Sequence, residues 1–433
     1  MAKSEAVYTM GLRLLRGALP LVSRGEGKLA RGVRGRRGAG ARLARWASAA
    51  REARRGLVWF HAPSVGEGLQ AQAVMEALRV AAPDLQIAYT YFSPSAERLA
   101  DRFGADVADY LPIDLPDEVG PVLDALRPSA LVFSKTEVWP NLTREAVRRG
   151  IPVLLLSATL PEGSSRLRWP TRTLLTSAHS RLTIVGAISP ADAARYQALG
   201  VPAERIVVMG DARFDQVARR AATAGASASL LEEIRDPRRL TIVAGSTWSE
   251  DEDLLIAAFA SLPGAGERER LIVVPHEPSE PHLRQLEQRA ARAGLGAVRL
   301  SRFGEPGDPG AVLIVDRLGV LGDLYGLADI AYVGGGFGSA GLHSILEPAA
   351  FGIPVLYGPQ NSNAREASGM VVAGGGFVVR DQLEFGRRLA VLAADRHKRE
   401  AAGAAARANN ARGTGAAASG ARLINEAMDI ASG

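Results

Sequence analysis

The sequence predicts an α/β protein made of two doubly wound domains, each a parallel sheet with helices on both faces. Three observations lead there. The chain has 433 residues, more than one hydrophobic core usually serves. From Leu57 onward short apolar runs alternate with helical segments, and the alternation restarts at Leu240, as parallel sheets require. Between Asp329 and Pro359 a strand, a glycine turn, a helix and a second strand follow one another (DIAYVGGGFGSAGLHSILEPAAFGIPVLYGP). A glycine loop that leads from a strand into a helix turns bare N–H groups toward an anion, which suggests a nucleotide-sugar pocket.

The elements follow in order. Residues 1–56 carry 14 Lys and Arg against three Glu, while the whole chain has a net charge of +6. The basic character therefore belongs to this segment. Tyr8, Met10, Leu12, Leu14, Leu15, Leu19, Leu21 and Val22 recur at helical spacing, interrupted by Arg13 and Arg16 and ended or bent by Pro20. The run is too short and too charged to span a bilayer, and a short apolar helix beside a basic stretch suits an anionic membrane surface. A nucleic-acid-binding arm and a solvated tail are the competing readings. Strands are expected at Leu57–Phe60, Gln86–Tyr91, Ala130–Phe133, Pro152–Leu156, Thr183–Val185 and Arg205–Val208. A polar, alanine-rich helix over Val217–Arg235, ahead of Pro237, marks the change of domain. The second series is expected at Leu240–Ala244, Leu271–Val274, Ala297–Leu300, Val312–Val315, Ile330–Val333, Val355–Tyr357 and Phe377–Val379, with a helical tail from Gln382 to Ser432. The domains expected are 57–218 and 219–433, the C-terminal helices included in the latter.

Candidate site residues gather beyond the strand ends, where ligands of such sheets bind. After the first strand come Ser64, Gly66 and Glu67. Glu67 is either a general base or a complement to the helix dipole. Ser93 and Ser95 follow the second strand, either as contacts to an anionic acceptor or as helix caps. Lys135, Glu137, Trp139 and Asn141 crowd the end of the next, and a carboxylate beside a tryptophan is costly to bury without a partner. Arg213, in Gly210-Asp211-Ala212-Arg213, is a candidate phosphate clamp. Gly245, Ser246 and Thr247 form a nest of small donors ahead of Trp248 and an acidic run, and acidic residues are ordinary in a first helical turn. His276 follows the next strand as a base-pocket contact or a structural residue. Gly338, Gly341, His343, Ser344 and Glu347 complete the glycine stretch, with Glu347 placed for ribose hydroxyls. Gly336, Gly338 and Gly341 also satisfy the dinucleotide fingerprint, but the following strand ends in Tyr357-Gly358-Pro359, without the carboxylate that motif expects. The chain has no cysteine and its six histidines show no ligand spacing. Disulfides and a cysteine nucleophile are excluded, and no metal or cofactor is expected.

Taken together, HAPSVGE, TYFSPS, KTEVWPN, GDARFD, AGSTWSEDE, VPHEP and YVGGGFG…GLHSILEPAAFGIPVLYGP resemble, in order and spacing, the 3-deoxy-D-manno-octulosonic acid (Kdo) transferases of lipopolysaccharide assembly. The resemblance runs from about residue 57 to near the end of the chain. It implies a GT-B fold, acceptor domain first and donor domain second, and an inverting, metal-independent transfer from CMP-Kdo to a lipid A precursor. It places the catalytic glutamate on Glu67, the family's second glutamate on Glu137, its phosphate-contacting basic residue on Arg213 and its ribose-binding glutamate on Glu347. Ser134-Lys135, Pro275-His276-Glu277, His343-Ser344 and Ser157-Ala158-Thr159-Leu160 depart from the family's usual E-T-E, P-R-H, H-N and N-A-R-L. The place of work implied is the cytoplasmic face of a bacterial inner membrane, with an anionic membrane surface and no nucleic acid as partner. Another GT-B enzyme with a different nucleotide sugar, or a non-catalytic lipid A-binding relative, is the alternative.

Overall fold

Two all-parallel, seven-stranded sheets organise the computed structural model, which describes residues 3–223, 228–304 and 310–432. The chain forms two compact units. One runs to Gln216 and takes in the chain again from Thr414; the other is Val217–Gly413.

In the first unit the strands are β1 (Leu57–His61), β2 (Gln86–Tyr91), β3 (Val107–Tyr110), β4 (Ala130–Ser134), β5 (Val153–Ala158), β6 (Ile184–Ala187) and β7 (Ile206–Val208), in the order β3-β2-β1-β4-β5-β6-β7. Every residue of β1, β2, β4 and β5 is buried, which is why these segments read as unbroken apolar runs. The strand order reverses beside β1, so the loops after β1 and β4 diverge and open a crevice there. Strand β3 was not expected. It is an edge strand, and Asp109 breaks its apolar pattern; the Arg42 guanidinium pairs with that carboxylate at 2.5 Å.

The second sheet contains β8 (Leu240–Thr247), β9 (Glu269–Pro275), β10 (Ala297–Arg299), β11 (Val312–Ile314), β12 (Ile330–Val333), β13 (Val355–Tyr357) and β14 (Gly376–Val378), in the order β10-β11-β9-β8-β12-β13-β14. All seven match expected strands. Its reversal lies beside β8, between β9 and β12. The alanine-rich helix expected over Val217–Arg235 is described as two segments, Ala212–Ala222 and Ala228–Ile234; residues 224–227 lie outside the described residues.

Two expectations about domain membership need correction. The helical tail does not stay with the second unit: its last helix, Ala416–Ser432, packs on helix Val65–Ala81 of the first. Leu423, Ile424 and Ala427 enter the core that holds Val74 and Met209, and Asp215 accepts the N–H groups of Gly415 (2.7 Å) and Ala417 (3.1 Å). An alanine-rich amphipathic helix fits either core, so only tertiary packing decides. Nor is the basic N-terminal segment a free arm. It folds into α1 (Lys3–Val22), α2 (Lys28–Arg36) and α3 (Ala39–Ala50). Leu43 and Ala47 of α3 are buried with Leu123 and Leu126.

Helix α1 is held by polar contacts. Glu5 is almost fully buried and ion-pairs with Arg181 and Arg144. Burial opposes its charge, but Arg181 and Ser177 outweigh it and hold its pKa below the usual range. Tyr8 donates to Asp114 at 2.9 Å, and Thr9 donates to Asn141 at 2.9 Å. Losing one partner of a buried ion pair costs several times RT, and ~1.4 kcal/mol already shifts an equilibrium tenfold. Glu5→Ala should therefore undock α1, with limited proteolysis within residues 3–22 at least about tenfold faster than in the wild type. Unchanged cleavage would show that Glu5 does not hold the helix.

Candidate active site

The first unit brings its candidates together at the carboxyl ends of three neighbouring strands, β2, β1 and β4. Helix α4 (Val65–Ala81) starts directly after β1, with Ser64 as its N-cap residue and Glu67 in its first turn. The Ser64 hydroxyl donates to Glu67 Oε2 at 2.5 Å, and the Ser134 hydroxyl at the end of β4 donates to the Glu67 carbonyl at 3.3 Å. Glu67 thus complements the helix start, and a hydroxyl fixes its rotamer. The carboxylate stays half-exposed, as a general base must be to reach a substrate hydroxyl.

Glu137 follows β4 in a depression of about 340 Å³, lined also by Tyr8, Trp139, Arg166 and His179. Its pKa is raised, by burial first and then by the charge of Glu67, with Arg166 opposing. Arg166, at 3.8 Å, is its ion-pair partner; no sequence signal marks that arginine, which lies in a single 3-10 turn, Ser165–Leu167. Lys135 sits beside it in the left-handed region (φ 69°), a conformation that costs a non-glycine residue energy and clusters at functional sites. The Trp139 ring stacks on Phe92 (5.5 Å) and meets the edge of His61 (6.0 Å).

Ser93 and Ser95 bond to each other at 2.7 Å, and Ser93 accepts the Ser95 N–H, which favours the capping reading. Asn141 corrects the expectation of an acceptor contact. It is fully buried, donates to the Asp114 carbonyl at 2.6 Å and accepts from Thr9; it pins α1 and helix Pro140–Val147 to the core. His61, unmarked in the sequence, is fully buried beside this group. Its Nδ1 lies 3.0 Å from the Thr90 hydroxyl, and its Nε2 has no hydrogen-bond partner. Burial pushes its pKa down to about 3, and that of buried His179 down to about 4.

In the second unit the candidates gather at the carboxyl ends of β9, β8, β12 and β13. The glycines there pack backbone against backbone. A Cβ on Gly334 would lie 2.4 Å from the Ser246 carbonyl oxygen, and one on Gly336 would lie 2.6 Å from the Gly358 nitrogen. Asp251, fully buried, ties the loops together: it accepts from Trp248 N–H (2.9 Å), Gly335 N–H (2.8 Å) and the Tyr332 hydroxyl (2.7 Å). Burial raises its pKa against these donors. Ser246 is held in the left-handed region (φ 53°). Gly245 is required for packing, since a Cβ there would meet the Tyr325 hydroxyl at 2.2 Å.

Two features here differ from the sequence reading. The helix after the glycine run is only Leu346–Ala350, so no long helix begins near Gly341–Ser344 and any anion there is held by loop amides and not by a helix dipole. The loop is rigid enough to do so: Gly341 takes φ 80°, and Asn363 clamps Leu342 through two bonds, at 3.0 and 2.8 Å. Glu347 therefore lies in the first turn of a short helix, where burial raises its pKa, Arg220 opposes and Asp323 adds. Thr247 is fully buried, and its hydroxyl donates to Glu252 at 2.9 Å; it holds the acidic run in place and does not face a ligand.

One aromatic feature has no local sequence signal. Trp248, His276 and His343 form a continuous stack, with centroid separations of 4.8 and 4.6 Å. Trp248 Nε1 donates to His343 Nε2 at 3.2 Å, which makes His343 an acceptor and so a neutral ring. Burial and the neighbouring His276 lower its pKa, in agreement. His276 remains exposed. Gly338 and Ser344 lie on the same loop. Arg213 belongs to the first unit, in the first turn of Ala212–Ala222, and pairs with Asp211 at 2.8 Å. No group of three or more metal-ligating side chains occurs among the described residues.

Comparison with known proteins follows this geometry. Residues 37–216 match the family described as 3-deoxy-D-manno-octulosonic-acid transferase (kdotransferase). The chain is 31% identical over 434 residues to the 3-deoxy-D-manno-octulosonic acid transferase of Bordetella pertussis, covering 95% of this chain and 96% of that protein. It is 28% identical to the Haemophilus influenzae enzyme of the same name, covering 73% of each. Among solved structures it superposes on UDP-GlcNAc 2-epimerase from Neisseria meningitidis (TM-score 0.59, 13% identity, 87% of this chain and 100% of that one). It also superposes on a glycosyltransferase from Rickettsia africae (TM-score 0.58, 13% identity, 87% and 98%). These superpositions show the GT-B fold.

His61 and His179 give the site region a pH signature. Both fold with pKa values well below the unfolded value near 6.5, so the unfolded chain takes up protons first as pH falls. Their contribution to stability is complete above about pH 6.5 and is lost as pH drops toward 4. His61→Leu should flatten this dependence by about one proton in chemical denaturation series between pH 7 and 4.5. An identical slope in wild type and variant would mean that His61 is not held neutral.

Proposed function

The chain belongs to the 3-deoxy-D-manno-octulosonic acid (Kdo) transferase family, and on that premise we propose that it moves Kdo from CMP-Kdo to a lipid A precursor in lipopolysaccharide assembly, by an inverting, metal-independent route. The observation that carries the reading is Glu67: a half-exposed carboxylate at the end of β1, its rotamer held by Ser64, with a second carboxyl of raised pKa nearby.

In this reading Glu67 accepts the proton of an acceptor sugar hydroxyl while the oxygen attacks the anomeric carbon of Kdo. The bond from that carbon to the CMP phosphate breaks, and CMP leaves with the electron pair. In the second unit Ser246 and the loop Gly338–Ser344 stabilise the phosphate, and Glu347 holds the ribose; in the first unit Arg213 matches the family's phosphate-contacting basic residue. His276, exposed although its ring stacks with both Trp248 and His343, is the member of the stack open to a nucleobase. Burial and the charge of Glu67 raise the pKa of Glu137, which eases its protonation where two carboxylates face an anionic substrate. Lys135, Ser64, Gly66 and Trp139 frame the acceptor sugar. The N-terminal basic helices bring the enzyme to the anionic cytoplasmic face of the inner membrane. No helix among the described residues is long and apolar enough to cross a membrane, and attachment is peripheral in this reading.

Glu67→Gln should lower the rate of transfer by ~10²–10⁴ and leave CMP affinity intact; wild-type turnover would remove Glu67 from the chemistry. Glu347→Ala and Arg213→Ala should each weaken CMP binding by about ten- to a hundredfold in calorimetry, the worth of one charge-assisted hydrogen bond. Unchanged affinity in both would place the nucleotide elsewhere. For the membrane, each cation near an anionic surface contributes on the order of 1 kcal/mol, screened by salt. Reversing exposed Arg13, Arg24, Lys28 and Arg31 to Glu should release the protein from anionic vesicles at low salt. Wild-type protein that stays in the supernatant would refute attachment.

A further inference from the structure

The N-terminal helices enclose more than their docking requires. Between α1 and α2 lies a groove of about 570 Å³, walled by Leu12, Leu15 and Leu19 of the first helix and by Leu29 and Val33 of the second. The lips are apolar and bare: Leu15 is 54% and Leu29 69% exposed. Such surface is costly to leave in water unless something covers it.

Two observations say what covers it. Charge is the first. Through Arg37 the segment carries nine Lys and Arg against two Glu, and Glu5 is already paired within the first unit. Arg13, Lys28, Arg31 and Arg37 stand exposed on these two helices and the turn after them; Arg16 is paired with Asp117 and Glu118, and Asp114 and Glu118 also line the groove. The groove thus has an oily interior and a cationic surround, complementary to an anionic amphiphile. Continuity is the second. Trp139 lines this groove and also the depression that holds Glu137, whose carboxyl is within reach of the charge of Glu67. At that inner end Arg36 lies flat over the Phe92 ring, 3.4 Å from its centroid, and donates to the Phe92 carbonyl at 2.6 Å. Trp139 therefore borders both the oily space and the depression that holds Glu137.

We propose that the groove between α1 and α2 seats one hydrocarbon chain of the acceptor lipid, with Trp139 at the junction between chain and sugar. The proposal rests on the acceptor reading given above. It makes the N-terminal helices a part of substrate recognition as well as a membrane contact. Acceptor selectivity then depends on acylation, because the chain contributes binding energy in proportion to its buried length.

The test uses the full-length protein and two acceptors with the same sugar-phosphate: the acylated precursor dispersed in detergent, and the same molecule stripped of its acyl chains. Leu12→Trp fills the groove. Leu29→Glu charges its lip at a site too exposed to disturb folding. Both variants should raise KM for the acylated acceptor by roughly tenfold or more, since a few methylenes suffice for that factor. KM for the stripped acceptor and for the donor should stay at wild-type values. Equal changes for both acceptors, or none for either, would overturn the proposal. Anionic-vesicle binding should be unchanged in Leu29→Glu; its loss with an unaltered KM ratio would assign the groove to the bilayer and overturn the proposal. A lipid-free dimer abolished by Leu29→Glu would assign it to a second copy, with the same consequence. If the wild type turns over neither acceptor, the transfer reading fails, and the groove is read by a dansyl-labelled undecanoic acid excited through tryptophan. Saturable binding weakened about tenfold by Leu29→Glu supports the groove, and absence of binding overturns it.

Discussion

The carboxylate of Asp251 is the joint on which the second unit's site depends. It is fully buried and accepts hydrogen bonds from the end of β8, from the strand β12 and from the glycine loop that follows it. Burying that group would be unfavourable without three donors, and three donors converging on one point fix three segments at once. The glycines then become obligatory. The loops approach so closely that Gly334, Gly336 and Gly358 have no room for a Cβ. Ser246 is forced into a left-handed conformation at the same junction, and the Trp248–His276–His343 stack is assembled by the same strand ends. A binding surface built this way costs little reorganisation when a ligand arrives.

The first unit solves a different problem. Two carboxylates stand near one another there. Ser64 supports Glu67, and burial, with the charge of Glu67, raises the pKa of Glu137, so Glu137 is protonated more easily than a carboxyl in water. Around them the core holds titratable groups whose pKa values burial has shifted. His61 is held uncharged, and Asp114, buried beside Asn141 and Leu142, has its pKa pushed up to about 6 despite the donors on it. The N-terminal helices attach to this same corner through Glu5, Tyr8 and Thr9. An element that reads as a membrane-facing arm is therefore part of the first unit's packing.

Much of this was legible in the sequence, because buried parallel strands must be apolar throughout and ligand-facing residues must follow their ends. Thirteen of the fourteen strands obeyed that rule; β3 did not, because Asp109 on an edge strand answers to Arg42 and not to the core. What stayed hidden depends on partners far away in the chain. Thr247 and Asn141 look like ligand contacts at strand ends until Glu252 and Thr9 are seen to use them. The glycine run is packed against Ser246 and Gly358, neither of which is local. Trp248 and His343 are 95 residues apart, so no motif could announce their stack. The last helix carries no mark of the unit to which it returns.

The central claim is the identity of the two substrates, and product chemistry tests it most directly. Purified protein would be incubated with a lipid A precursor and, in parallel, with CMP-Kdo and a panel of UDP-sugars, with released nucleotide and acceptor mass both read. The account predicts CMP release with CMP-Kdo alone, matched by acceptor mass increased by whole Kdo residues. Transfer from a UDP-sugar, or lipid binding with no mass gain from any donor, would contradict it.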